Sequence, residues 1–163
     1  MKLLLMLIGW VLTANVCLAD IAGIRAAYPR AAASAASAKE LYQKLEDVKE
    51  SGDKTMVAYK GAALTLLAKY EKKPADKISK MKAGAKLVEM AVAAEPTNTE
   101  IRLVRLSIQE NVPKIVKYKA NMQEDKAYLL AHYKEQQRAL REYVISFIKQ
   151  SKSFTAEEKE QVK

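Results

Sequence analysis

From residue 78 to residue 92 apolar side chains recur at alternating steps of three and four: Ile78, Met81, Ala85, Val88 and Val92. That spacing lines them up as one stripe along an α-helix, with Lys77, Lys80, Lys82, Lys86 and Glu89 on the other side. Pro96 lacks an N–H and disfavours the α conformation at Glu95, so the helix stops there. Thr97-Asn98-Thr99-Glu100 reads as a capping box, the Thr97 hydroxyl and the Glu100 carboxylate each meeting a free backbone N–H. Ile101, Val104 and Ile108, flanked by Leu103 and Leu106, then carry a second helix back along the first, until Asn111 and Pro113 stop it. The pattern predicts a hairpin of two antiparallel helices.

The same period runs through the rest of the chain. Asp20 to Ala36 is alanine-rich and helical, with Ile21, Ile24 and Tyr28 on one side and Pro29 kinking or ending it. Ala31 to Ala38 has strong helix propensity but little to bury and is expected to pack loosely or fray. Ser37-Ala38-Lys39-Glu40 reads as a second capping box, opening a helix through Leu41, Leu45 and Val48. Ser51-Gly52-Asp53 breaks that helix, and Asp53 caps the next. Lys54 to Lys72 is apolar around more than half its circumference, which predicts a central position. Gly61 weakens this helix unless another backbone approaches it. After Pro113 comes a short basic stretch, Lys114 to Ala120, with Ile115, Val116 and Tyr118 as apolar contacts. Asn121 caps a helix bearing Leu129, Leu130 and Tyr133. A further helix, continuous with it or not, carries Leu140, Tyr143, Val144, Phe147 and Ile148, and Thr155 to Glu158 caps a last turn. No run of alternating β-branched residues interrupts this reading. The expectation is an all-α fold of stacked antiparallel helical hairpins, forming one domain over residues 20–163.

The start of the chain reads differently. Met1-Lys2 is short and positive, Leu3 to Leu12 is apolar, and Thr13 to Ala19 is polar and small. This is the make-up of a cleavable export signal over residues 1–19, with Cys17 and Ala19 at the small-residue positions and Asp20 as the new start. The apolar core is short of the roughly 20 residues a membrane anchor needs. Lipid attachment at Cys17 is disfavoured because Val16 is larger than the residue such processing takes before its cysteine. Cys17 is the only cysteine, so a chain cut after Ala19 enters an oxidising compartment with no disulfide and no thiol chemistry. The expected location is periplasmic or extracellular.

Charge adds a possible contact. The formal net charge is +9, and loss of Lys2 leaves 27 basic against 19 acidic residues. Between Lys49 and Lys86 there are ten lysines against four acids. Such a surface attracts anionic glycans, lipid headgroups or acidic proteins, unless it is simply a solvated face.

Two resemblances follow from particular residues. Gly84, Ala91 and Pro96, with Val88 between, are spaced like the small, small and proline positions that end a tetratricopeptide repeat. The preceding helix departs from that pattern, since Leu67 stands at an expected small position and the Lys72–Asp76 linker is too long. The match covers about one degenerate repeat. Ala58-Tyr59-Lys60-Gly61-Ala62-Ala63 and the stretch from Arg102 through Lys117 resemble a group of uncharacterised exported helical proteins of Bacteroidota. That resemblance implies an envelope or secreted location, and it implies no activity and no functional residues.

Candidate chemistry is sparse. His132 and Glu135 form a helical i, i+3 pair, with Glu124 and Asp125 about two turns earlier, but a carboxylate-bridged metal site in a bundle takes two such sets. No nucleophile elbow or phosphate-binding glycine loop is present in the sequence, and the many acids single out no carboxylate pair for glycoside hydrolysis. Nucleic acid is an improbable partner, because lysine rather than arginine accompanies the tyrosines and because of export. Arg102 and Arg105 sit one turn apart with Gln109 a further turn on. If that side lines a groove, two guanidinium forks there would hold a carboxylate or phosphate, with Lys114 and Lys117 following. The other reading is that the arginines pair with Glu89, Glu95 or Glu100 across the hairpin. These features lead to an exported, non-enzymatic binding or scaffold module of the cell envelope, with no cofactor and no metal. It would meet an anionic or protein partner through a basic face or a helical groove. The alternatives are a small envelope hydrolase and a purely structural subunit.

Overall fold

A computed structural model of the chain describes the backbone of residues 16–163, and the side chains of residues 21–163 other than Lys114. Residues 1–15, most of the expected export signal, lie outside the described residues. The protein is all-α: among the described residues there are eight α-helices, two 3-10 turns and no strand. The helices are α1 (Val16–Ala31), α2 (Ala35–Leu45), α3 (Lys54–Tyr70), α4 (Pro74–Ala94), α5 (Thr99–Asn111), α6 (Met122–His132), α7 (Arg138–Gln150) and α8 (Ala156–Gln161). The 3-10 turns are Lys114–Val116 and Tyr133–Glu135.

Polar side chains set four of the helix starts. Asp53 accepts from the Met56 N–H at 2.8 Å, as its position predicts. Thr155 and Glu158 form a full capping box at the head of α8. Two other caps shift. Ser34 rather than Ser37 opens α2, accepting from the Ser37 N–H at 3.1 Å. At α5 the cap is Asn98, whose Oδ1 accepts from the Glu100 and Ile101 N–H groups at 3.0 and 3.1 Å. Thr97 is one residue too early, and the Glu100 carboxylate is drawn inward to Arg25 instead of back to the helix start. Asn121 precedes α6 without a side-chain cap bond.

Two apolar clusters share one helix. The first unites α1 to α5 and includes Ile24, Leu41, Tyr59, Val88, Val92, Ile101 and Val104. The second unites α5, α6 and α7 around Leu103, Leu106, Leu129, Val144 and Ile148, with Phe154 and Val162 joining from either side of α8. α3 does run through the middle of the first cluster. Yet α5 is the more enclosed helix, since every residue from Thr99 to Glu110 except Ser107 is buried. Ala31 and Ala38, expected in a fraying stretch, are fully buried where α1 turns into α2.

The closest helix approach is between α3 and α4. A Cβ placed on Gly61 would lie 2.5 Å from the Gly84 carbonyl oxygen, and one on Gly84 would collide with the Gly61 carbonyl in turn. The two glycines are what let these backbones meet. Residues 78–92 and 101–108 also touch, through Arg105 and Glu89, and Val88, Val92, Ile101 and Val104 share the first cluster. Three apolar expectations fail. Ile78, Ile115 and Val116 are 56%, 88% and 38% exposed, because the head of α4 and the turn after α5 project past the packed helices.

Candidate functional site

The residues singled out for binding, Arg102, Arg105, Gln109, Lys114 and Lys117, fall into two groups. Arg102, Arg105 and Gln109 are buried on α5. Lys117 is exposed in the segment after the Lys114–Val116 turn, at a left-handed φ of 53°, and the Lys114 side chain lies outside the described residues.

Asp125, in the first turn of α6, draws both arginines together. Its carboxylate is fully buried. It accepts from Arg105 Nε at 2.7 Å and Nη2 at 2.7 Å, a two-pronged pairing, and from Arg102 Nη1 at 2.9 Å. Arg105 Nη1 donates to Glu89 at 3.1 Å, so all three guanidinium nitrogens are engaged. Burial opposes the Arg105 charge, but its bonds to Asp125 and Glu89 outweigh that and raise its pKa. Arg102 donates to the Pro96 carbonyl at 2.6 Å and to Glu124 at 2.8 Å, and its guanidinium lies 4.4 Å from the Tyr128 ring centre. The hydrogen bond from Arg102 holds the Glu124 carboxyl below its usual range.

Of the cross-hairpin partners the sequence offers, Glu89 is used. The main partner, Asp125, comes from a helix the hairpin pattern does not include. Spacing on α5 marks the arginines as a pair, but only the return of α6 reveals the acid between them. Gln109, on the same side, is wholly enclosed, with neither amide atom hydrogen-bonded among the described residues. As placed, this side of α5 is a seam between helices, with its guanidinium groups turned to internal acids.

A second polar cluster lies at the other boundary of α5. Glu100, 3% exposed, accepts from Arg25 Nε at 2.7 Å and Nη2 at 2.6 Å and from the Tyr59 hydroxyl at 2.8 Å. Tyr28 meets Tyr59 edge-on at 5.4 Å and hydrogen-bonds Ser107 at 2.7 Å. Burial pushes the Tyr28, Tyr59 and Tyr143 phenols above their ordinary pKa. Tyr118 is raised as well, by burial and by its 2.5 Å bond to Glu89. Glu110 accepts from Ser151 and Ser153 at 2.5 and 2.8 Å, tying the end of α7 to α5.

His132 Nδ1 lies 2.9 Å from Glu135 and the ring lies against Tyr128, 4.1 Å between centres. Glu124 and Asp125 face the arginines instead. Among the described residues no three His, Cys, Asp or Glu side chains converge as a metal-ligand group.

The lysines stay outside. Lys49, Lys69, Lys72, Lys73, Lys77, Lys82 and Lys86 are exposed, while Lys80 pairs with Glu71. Comparison with known protein families, with characterised proteins and with solved structures finds no match to this chain.

Proposed function

We propose that the protein is an exported, non-enzymatic binding or scaffold module of the cell envelope, and that its contact surface is the exposed lysine face. The observation that carries this reading is the division of charge. Arg102 and Arg105 are spent on Asp125 inside, while Lys69 on α3 and Lys77, Lys82 and Lys86 on α4 are exposed and form no ion pair among the described residues. Lysine presents a mobile point charge, suited to a partner recognised by its negative potential more than by a fixed shape. The export signal over residues 1–19 places that partner in the envelope, and stacking of hairpins in the manner of a degenerate tetratricopeptide array belongs to the same proposal.

The test is capture from a whole envelope extract, its membranes included. Partners should be retained at low ionic strength and released as the Debye length shrinks from about 10 Å near 0.1 M salt to about 3 Å near 1 M. Capture that survives the high-salt wash unchanged, or no capture at any salt, would contradict electrostatic contact.

A further inference from the structure

The three exposed large hydrophobic side chains of the described residues share one end of the molecule. Arg105 on α5 pairs with Glu89 on α4, which fixes the register of the two helices. Six residues beyond Arg105, α5 ends at Asn111. Six residues back from Glu89 is Ala83, in the half of α4 that begins at Pro74. The turn bearing Ile115 and Val116 therefore leaves beside the half of α4 that bears Ile78. The same end holds the close of α1, where the Ala32 carbonyl accepts from Lys69 Nζ and the Tyr70 hydroxyl. It also holds the close of α7, where Lys152 reaches Asn111.

Charge is sorted along this axis. Around the three aliphatic residues stand exposed Lys69, Lys72, Lys73, Lys77, Lys117 and Lys152, with Asp76 the exposed acid near them. At the opposite end the Asn98 amide reaches Thr55 and Glu95, and Lys60 reaches the Glu46 and Val48 carbonyls. There Glu46, Asp47, Glu50, Asp53 and Glu95 are exposed beside Lys44 and Lys49.

We infer that the basic end docks onto an anionic lipid surface, with Ile115, Val116 and Ile78 entering the interface and the lysines facing the headgroups. This deepens the proposed function and rests on it. A protein partner would need about 800 Å² of matched surface with an apolar centre. Here the aliphatic groups stand singly on a helix head and a turn tip. The shallow hollow lined by Leu130, Tyr133, Lys134 and Val162 lies elsewhere, between the end of α6 with the 3-10 turn after it and the end of α8. Separate aliphatic tips ringed by lysines suit a lipid interface, which accepts each side chain independently. The acidic end would then face away, as repulsion by the negative surface potential of the headgroups requires. Among the described residues no helix is long and apolar enough to cross a membrane, and surface docking needs none.

The test is cosedimentation of the full-length chain with vesicles of neutral phosphatidylcholine and with vesicles doped with phosphatidylglycerol. The readout is the difference between the two, so any apolar anchoring by residues 3–12 cancels. Binding should favour the anionic vesicles and weaken with salt. Each lysine near the surface is worth roughly fivefold, so Lys72, Lys73 and Lys77→Gln together should weaken it about a hundredfold. Ile115→Asp should weaken it about tenfold or more, whereas Lys44, Lys49 and Lys54→Gln should change it little. Equal binding to both vesicles, or equal loss in the two lysine triples, would overturn the lipid inference. So would salt-sensitive capture of an extract protein without vesicle binding, and that outcome would leave the envelope-module reading standing.

Discussion

Asp125 is the residue on which the centre of the molecule depends. Two guanidinium groups share its fully buried carboxylate, so removing that charge leaves both largely buried cations with only the half-exposed Glu124 and Glu89. Asp125→Ala should cost about 3–5 kcal/mol, the range for breaking a buried pair by deleting one partner. Glu124→Ala removes a carboxylate that is 55% exposed and should cost less than about 1 kcal/mol. Urea denaturation of the two variants separates them, and equal losses would contradict the assignment of Asp125 as the shared partner. The tyrosines give a pH signature. Tyr28, Tyr59, Tyr118 and Tyr143 are raised in the folded state, so folding favours their protonated form. Their contribution to stability is complete below the unfolded phenol pKa of about 10 and is lost progressively as pH rises beyond it. Absorbance titration should therefore show these four phenols still unionised above about pH 10, until the chain unfolds cooperatively. Full ionisation with the helices intact would contradict their burial.

At the level of single elements, local chemistry decided helix existence better than helix boundaries. The three-and-four spacing of Met81, Val88 and Val92 located α4, and Asp53 and Thr155 were readable as caps because each has a helix start directly after it. Thr97 and Asn98 are both capping residues, and the choice between them depended on where Glu100 went. Arg25, 75 residues earlier in the chain, took it. Asn98→Ala should therefore destabilise by about 1 kcal/mol and Thr97→Ala by a few tenths at most; thermal melts giving the reverse order would restore the Thr97 capping box. Gly61 was legible only as a conditional cost, because a sequence does not say which backbone arrives opposite. Since Gly84 arrives there, Gly61→Ala sets a helix-propensity gain of about 1 kcal/mol against overpacking of about 1–3 kcal/mol. A carbonyl oxygen cannot rotate aside as a side chain can. Overpacking should win, with a net loss in the denaturation midpoint, and a stabilised variant would mean that α3 and α4 do not meet at these glycines.

Across the whole molecule, α5 divides two apolar clusters and carries the polar groups that hold them together: Glu100 towards α1 and α3, Arg102 and Arg105 towards α4 and α6, Glu110 towards the end of α7. An amphipathic reading of α5 gives one apolar face, yet Leu103 and Leu106 serve the second cluster while Ile101, Val104 and Ile108 serve the first. The enclosure of α5 was hidden because its charges look like a solvated face until the acids from other helices are in place. For the proposed function this means that Arg102 and Arg105 are held within the protein, and the surface we propose for contact is the lysine-rich end formed by the heads and tails of α3, α4, α5 and α7. Amide hydrogen exchange of the full-length chain, free and bound to phosphatidylglycerol vesicles, tests that division most directly. The account expects new protection confined to residues 72–82 and 113–119, with the amides of α5 and the first turn of α6 unchanged. Protection gained at residues 102–109 and 124–125, with none at the basic end, would contradict it.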